Sequence, residues 1–277
     1  MELDLLILYF FCYSLLGYLI EVAYCSRLEK RLVNMGFLHG PYLPIYGFGA
    51  VLILLFFSRF SDHLLLLFVL SVLGTSALEY LTSYLLEVLF HAKLWDYSTY
   101  PLNIHGRVCA LNAALFGLLS LSLIYVIHPF LVQLLSKLSA STLSISAHMV
   151  LLIISIDTTS SVFRMAAFQK QLFDFRLKVR EIEERIDLVS KLKPTKNLEN
   201  LKERLDGERE LLKQRLERAS QRILDAFPSI TSANEEKRLL FEVLKKSARE
   251  GRVHRKEQRL QIRRKSGKSG SRRNDHA

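Results

Sequence analysis

Four carboxylates lie inside apolar stretches of this 277-residue sequence: Glu87 near the end of its stretch, and the three path candidates Glu21, Glu79 and Asp157. A charged side chain in a bilayer costs roughly 2.5–3.5 kcal/mol on insertion scales, so it usually faces a bundle interior or a water-filled cavity. Carboxylates placed there can take up protons or line a path for a solute. We therefore predict that these three line a transport path. The alternative is that they are hydrogen-bonded packing contacts between helices.

Two dense polar motifs separate the apolar stretches. The first runs from residue 34 to 49 and the second from 95 to 107, and both are rich in Gly, Pro, Asn, His and aromatic residues. Lipid penalises irregular backbone unless protein or a water-filled cavity surrounds it. Both motifs therefore predict a polar site on one side of the membrane. Its candidate residues are Asn34, His39, Tyr46, Trp95, Asp96, Tyr97, Asn103, His105 and Arg107.

The sequence contains no motif for a known cofactor or catalytic centre. It has no Walker A, GxSxG, HExxH or Rossmann pattern, which excludes an ATPase or a triad hydrolase. His91, Asp96 and His105 are metal-ligand types, but their spacing matches no recognised site. We therefore predict no metal, no cofactor and no catalytic residue. Tyr42, Tyr46, Trp95 and Tyr97 could also be interfacial aromatic anchors.

The apolar stretches are long enough to position these groups within a membrane. A spanning helix needs about 20 mostly apolar residues. Five segments qualify, and they predict an all-α, polytopic bundle of about five transmembrane helices. The predicted spans are 3–25, 42–60, 63–90, 108–131 and 144–168.

Charge divides the chain and orients it. Residues 1–166 carry a net charge of −1, whereas residues 167–277 carry +12. Basic residues accumulate in cytoplasmic loops. With the C-terminus inside, five basic residues fall in inner loops and two in outer loops, which predicts an N-out, C-in topology in the inner membrane. Glu21, Glu79 and both polar motifs then converge near the cytoplasmic face.

The charged C-terminal region predicts a cytoplasmic helical tail. Apolar residues recur at heptad spacing from Leu172 to Val189, and a second run follows Pro194. We therefore divide the chain into a membrane domain (1–168), a coiled-coil hairpin (169–227) and a basic helix with a disordered tail (228–277). The coiled coil could instead join two copies. Ser232 and Glu235 form a sequence pattern typical of a helix-capping box.

The end of the tail has a second predicted role. Residues 249–273 hold 11 basic and 2 acidic residues. Such a cluster attracts an anionic lipid surface. Because it lacks interleaved aromatics and any nucleic-acid motif, the pattern argues against nucleic acid as a partner.

The motifs resemble the bacterial CmpB-like family labelled as ABC-transporter type IV. The matching residues are Gly17-x-x-x-Glu21, the run from Asn34 through Gly40-Pro41 to Gly49, Trp95-Asp96-Tyr97-Ser98, and Asn103-x-x-Gly106-Arg107. The resemblance covers about residues 5–165. Met35 departs from it, because the family pattern is Asn-Arg-Gly-Phe. The resemblance implies a transporter permease, and a separate ATP-binding subunit would have to supply any ATP coupling.

These observations leave three functional hypotheses. The first is a permease-like transporter component in the lipid bilayer, in which the polar motifs form an inner gate. The second is a membrane-embedded enzyme acting on a lipid-linked or small anionic substrate, with a carboxylate as general base. The third is a membrane scaffold or sensor that acts through its coiled-coil tail.

Overall fold

The computed structural model describes residues 3–31, 33, 35–191, 196–248 and 250, and these residues are overwhelmingly helical. They fall into two compact units. Unit 1 comprises residues 3–171 and 225–233, and unit 2 comprises residues 172–224 and the described residues from 234 onward. The candidate site residues that are described all belong to unit 1.

Unit 1 is built from helices joined by two irregular loops. The helices are α1 (Leu3–Leu28), α2 (Pro44–Leu52), α3 (Leu64–Phe90), α4 (Ala110–Ser122), α5 (His128–Leu135) and the first part of α6 (Ala140–Ser190). A small antiparallel hairpin, β1 (Asn103–Ile104) and β2 (Val108–Cys109), lies between α3 and α4.

Four described helical segments are long and apolar enough to cross a membrane. They are Leu3–Arg27, Leu64–Phe90, Ala110–Leu135 and Ala140–Ser190. The second predicted span is shorter in the structure, where the apolar helical segment is Pro44–Phe60. At 1.5 Å per residue this segment is about 25 Å long, less than a hydrocarbon core of about 30 Å. The count of five spans therefore stays a prediction.

Helix α2 is short because it begins deep inside the bundle. The Leu43 backbone amide donates to the carbonyl of Ser14, near the middle of α1, at 2.9 Å. Gly47 has no side chain to hold these helices apart, and a Cβ there would lie 2.6 Å from the Phe10 carbonyl oxygen. The loop before α2 thus carries non-helical backbone to mid-helix depth. Such backbone is tolerated within a membrane only where protein encloses it or it lines a cavity.

Helices α4 and α5 form one continuous apolar segment despite Pro129. A π-helical turn, Leu123–Ile127, joins them, and Pro129 occupies the first turn of α5. Proline has no amide hydrogen to donate and its ring crowds the preceding turn. The wider π turn accommodates this without ending the helix.

The apolar core of unit 1 joins the N-terminal half of α1 to α2 and α5. Tyr9 and Tyr13 are buried there, with Ile53 and Leu131 among their neighbours. The Tyr13 hydroxyl lies 2.8 Å from Nδ1 of His128. This packing fixes one end of the bundle and leaves the C-terminal half of α1 to form part of the candidate site.

The segment at 225–233 packs on the loops of unit 1. Lys93 and Thr231 exchange two backbone hydrogen bonds of 2.9 Å. The Ser232 hydroxyl donates to the His91 carbonyl at 3.0 Å, and Ile230 is fully buried. A segment far from the membrane helices in sequence is therefore integral to the unit that carries the site.

Unit 2 contains the C-terminal part of α6, helix α7 (Lys196–Ala226) up to residue 224, and helix α8 (235–248). Leu172 and Ile182 of the predicted heptad seam are buried, and so are Leu205 and Leu216 of the second run, whereas Ala219 of that run is exposed. The pairing of these helices as a coiled coil stays a prediction. The Pro194 break and residues 251–277 lie outside the described residues.

The predicted capping box at Ser232 is wrong. Asn234 caps α8 instead, because its side-chain oxygen accepts from the Lys237 amide at 3.0 Å. The Ser232 hydroxyl is already committed to the His91 carbonyl. Helix α8 begins at residue 235, so Asn234 and not Ser232 directly precedes its first turn.

Candidate functional site

The Asp157 carboxylate is enclosed by the loop that precedes α2. Asp157 lies on α6 with its side chain 11% exposed. It accepts hydrogen bonds from the backbone amides of His39 (3.0 Å) and Gly40 (2.8 Å) and from the Tyr42 hydroxyl (2.6 Å). Nδ1 of His39 lies 2.9 Å away, and Ser161 donates from the next turn at 3.3 Å. We call this arrangement the Asp157 clasp.

The clasp explains how a carboxylate is tolerated within α6. Hydrogen bonds to an ionised acceptor are short and strong, and several of them replace the water that burial removes. Both oxygens of Asp157 have donors. With its acceptor positions occupied, this carboxylate holds the loop to α6, and it is not poised as a free base.

A second cluster joins the other two predicted carboxylates. The Tyr46 hydroxyl at the start of α2 donates to Glu21 at 2.5 Å. Glu79 on α3 is only 4% exposed and lies near enough to Glu21 for the two charges to interact. Tyr97 of the second loop is hydrogen-bonded to Glu79 and to Asn112 of α4. We call these residues the Glu79 cluster.

Two features of the Glu79 cluster mark it as more than packing. Burial raises the pKa of Tyr97, and the carboxylates of Glu79 and Glu21 raise it further, so Tyr97 stays a hydrogen-bond donor. Among the described residues, Oε2 of Glu79 has no hydrogen-bond partner although it is buried. A buried acceptor left unpaired is costly, which is why such atoms are rare unless a ligand or water satisfies them.

A cavity between α1, α2, α3 and α4 is lined in part by Glu79. Its walls are mostly apolar, and its polar side chains are Tyr13, Tyr46, Thr75, Glu79 and Ser120. Thr75 and Ser120 donate their hydroxyls to carbonyls of their own helices, at 2.7 Å each. Tyr13 and Tyr46 are hydrogen-bonded to His128 and Glu21. Oε2 of Glu79 is therefore the unsatisfied polar atom of this lining.

Close packing of Gly17 against Tyr46 sets one wall of the cavity. A Cβ at Gly17 would lie 2.6 Å from Tyr46 Cδ1 and closer still to the base of that side chain. We expect Gly17→Ala to push Tyr46 from Glu21 and to lower the free energy of unfolding by about 1–3 kcal/mol, the usual cost of overpacking. Gly49→Ala is the matched control, because a Cβ there meets only Leu78 at 3.8 Å. Thermal unfolding of the purified variants measures the difference, and equal stability would contradict this account.

The second polar motif folds into a hairpin that is held by its own side chains. Asp96 accepts from the Ser98 amide at 3.0 Å and from the Ser98 hydroxyl. Asn103 donates to the Tyr100 carbonyl at 2.8 Å and accepts from the Gly106 amide at 3.0 Å. These are Asx-type contacts that build turns. Asp96 and Asn103 therefore shape the hairpin and do not project into the cavity.

The end of the hairpin requires an unusual backbone. His105 and Gly106 have φ values of 54° and 67°, in the left-handed region that favours glycine. Nδ1 of His105 lies 3.2 Å from the Tyr80 hydroxyl, and Lys93 donates to the His105 carbonyl at 3.1 Å. The indole of Trp95 donates to the Arg107 carbonyl at 3.1 Å. These contacts fix the direction in which the Arg107 side chain leaves the hairpin.

Arg107 is anchored to the C-terminal end of α3. Its guanidinium lies 2.7 Å from Glu87, and the two side chains are 12% and 15% exposed. The same group lies over the rings of Tyr80 and Tyr84, at 5.4 Å and 5.3 Å. Among the described residues, Nε and Nη1 of Arg107 make no hydrogen bond. Arg107 thus joins the hairpin to α3 one to two turns beyond Glu79.

The structure regroups the predicted residues. The predicted path residue Asp157 lies with His39, whereas Glu21 and Glu79 lie with Tyr46 and Tyr97. Asn34 lies outside the described residues. Sequence reasoning missed four participants, namely Gly40, Tyr42, Asn112 and Ser161. Gly40 and Tyr42 lie inside the first polar motif, which was the available signal for them, whereas nothing in the sequence singles out Asn112.

The membrane-length helices and the polar loops packed among them fit a membrane protein. The chain belongs to the family described as "Putative ABC-transporter type IV" (ABC_trans_CmpB), whose model matches residues 8–162, more than half of the chain. The resemblance inferred from the motifs is confirmed. Neither the curated proteins nor the solved structures contain a match to this chain.

Proposed function

We propose that this protein is a permease-like component of a membrane transporter. The cavity between α1, α2, α3 and α4 is its solute-binding chamber. One observation carries the proposal: the cavity lining includes a buried carboxylate oxygen of Glu79 that has no hydrogen-bond partner among the described residues. Glu21 and Glu79 are the ionisable groups of this chamber. Asp157 supports it by holding the loop that starts α2.

The hairpin is proposed as the inner gate. It places Tyr97 against Glu79 and Arg107 against Glu87, so movement of the hairpin would change access to the cavity. Trp95, Asp96, Asn103 and His105 are its stiffening contacts. In the proposed N-out, C-in orientation the hairpin lies at the cytoplasmic face of the inner membrane, where a separate ATP-binding subunit could contact it. The basic segment 249–273 would bind the anionic lipid of that face.

The carboxylate geometry favours transport over catalysis. A general base needs a free lone pair within hydrogen-bond reach of its substrate. Asp157 has both oxygens occupied by the clasp, and Glu87 is paired with Arg107. Glu79 has a free oxygen, but it lines a mostly apolar cavity without an adjacent nucleophile. A binding and release step fits this environment better than proton abstraction.

Side-specific cysteine labelling tests the proposal. Cys12, Cys25 and Cys109 would first be replaced, and single cysteines would then be introduced as Glu79→Cys, Thr99→Cys and Asp62→Cys. Thr99 and Asp62 are exposed in the loops at opposite ends of α3 and serve as surface controls for the two faces. We expect a membrane-impermeant thiol reagent to label position 79 from the face that labels position 99.

The controls make the labelling experiment decisive. Positions 62 and 99 should react from opposite faces, which also tests the proposed orientation. Because Glu79 is buried and Thr99 is exposed, position 79 should react more slowly than position 99. If position 79 is inert from both faces while 62 and 99 react, no water-filled path reaches Glu79 and the proposed function is wrong.

A further inference from the structure

The chemistry of the cavity specifies the kind of solute it would hold. The unsatisfied atom of the cavity, Oε2 of Glu79, is a hydrogen-bond acceptor. Glu79 is only 4% exposed. Since the hydroxyls around it already donate within the protein, they cannot turn to satisfy this oxygen without breaking their present bonds. A ligand that brings a hydrogen-bond donor would satisfy this oxygen.

The charges of the cavity residues indicate which kind of hydrogen-bond donor would bind. Glu21 and Glu79 lie close enough to interact electrostatically, and neither forms an ion pair within the described part of the chain. Arg107 is paired with Glu87 instead. A buried pair of carboxylates without a protein counter-charge favours a positively charged ligand, because opposite charge offsets the penalty of burying an acid.

The cavity walls indicate the chemistry of the rest of the ligand. Apart from its few hydroxyls and Glu79, the cavity is lined by apolar side chains such as Leu16, Leu78 and Phe116. Ile20, at its edge on α1, is 42% exposed on a helix of membrane length. An apolar chain or ring of a ligand would therefore lose little free energy on moving from the lipid to these apolar walls. A phospholipid fits poorly, because its phosphate would bring a negative charge toward the two carboxylates.

We propose that the cavity binds an amphiphilic monocation, an apolar chain or ring that bears a protonated amine, with the amine donating to Oε2 of Glu79. The proposal rests on the proposed function in that it assigns the solute class of the same chamber. Glu79 is the specificity-determining residue, and the apolar walls supply the remaining affinity.

Thermal stabilisation by a matched set of small amphiphiles tests the proposal. Octylamine, octanol and octanoate share one chain and differ in charge, being respectively cationic, neutral and anionic at neutral pH. A ligand that binds the folded state raises the unfolding temperature in proportion to its occupancy. For the full-length protein in lipid nanodiscs, we expect octylamine to raise this temperature at concentrations at which octanol and octanoate do not.

Variants assign the effect to Glu79. In Glu79→Gln, the octylamine concentration for a half-maximal shift should rise at least about tenfold, because the ionic partner is lost. Asp62→Asn removes an exposed carboxylate away from the cavity and should leave the response unchanged. Gly49→Leu adds a side chain to the cavity wall and should weaken the octylamine response while Glu79 is retained. This variant keeps the test available if Glu79→Gln does not fold.

The outcomes separate this inference from the proposed function. An equal response to octanol and octylamine, or an octylamine response unchanged in Glu79→Gln, would overturn the monocation assignment. Labelling of position 79 could still succeed in that case, and transport would stand with another solute. The opposite result is also possible: octylamine stabilises the protein through Glu79, but a cysteine at position 79 reacts from neither face. The cavity would then bind a monocation, and the proposed transport path would be wrong.

Discussion

Replacement of Asp157 by alanine is expected to lower the free energy of unfolding by about 3–6 kcal/mol. The change leaves the amides of His39 and Gly40 and the hydroxyl of Tyr42 without their acceptor. Each buried donor left unpaired costs about 1–3 kcal/mol. Because these donors lie in the loop that starts α2, the expected consequence is release of the loop from α6 as well as lower stability.

Two control variants distinguish the clasp from general damage to α6. Asp157→Asn keeps one acceptor oxygen and should lose clearly less stability than Asp157→Ala. Ser155→Ala should be close to neutral, because the Ser155 hydroxyl donates only to its own helix and Ser155 is exposed. Thermal unfolding in detergent would compare the three. If Asp157→Ala is as stable as Ser155→Ala, the clasp does not hold the loop.

Replacement of Arg107 by methionine is expected to cost about 3–5 kcal/mol of stability. Removing one partner of a buried ion pair leaves the other charge uncompensated. Here that charge would be Glu87, whose side chain is 15% exposed. The stacking of the guanidinium on Tyr80 and Tyr84 would be lost as well.

The double variant separates charge from shape. Glu87→Leu combined with Arg107→Met removes both charges and should recover much of the lost stability, since well-packed apolar pairs often replace buried ion pairs at little cost. Unfolding temperatures of the two single variants and the double variant form the required cycle. Additive losses would show that Glu87 and Arg107 are not energetically coupled.

The sequence predicted the membrane helices well because length and apolar content decide them locally. The third span was predicted at 63–90, and α3 is Leu64–Phe90. The prediction for α2 was less accurate, since the depth at which α2 begins depends on a contact between Leu43 and Ser14 that no local pattern encodes. The cap of α8 was also predicted wrongly, because α8 begins at residue 235 and Asn234, not Ser232, caps it.

The pairings within the candidate site were harder to predict from the sequence than the helices were. Residue types and the insertion penalty singled out Glu79 and Asp157. Which partner each would meet depends on the rotation and register of helices distant in the chain. His39 meets Asp157 across 118 positions, and Tyr46 meets Glu21 across 25. Only the folded bundle shows that one carboxylate is saturated with donors while the other keeps a free oxygen.

The rate at which an impermeant thiol reagent reacts with a cysteine at position 79 tests the central claim most directly. The account predicts reaction from the face that labels position 99, more slowly than at position 99 itself, and none from the face that labels position 62. Such a result would establish that water reaches the buried carboxylate position from the hairpin side. A cysteine at 79 that stays unreactive from both faces, in a protein whose surface controls react, would contradict the account.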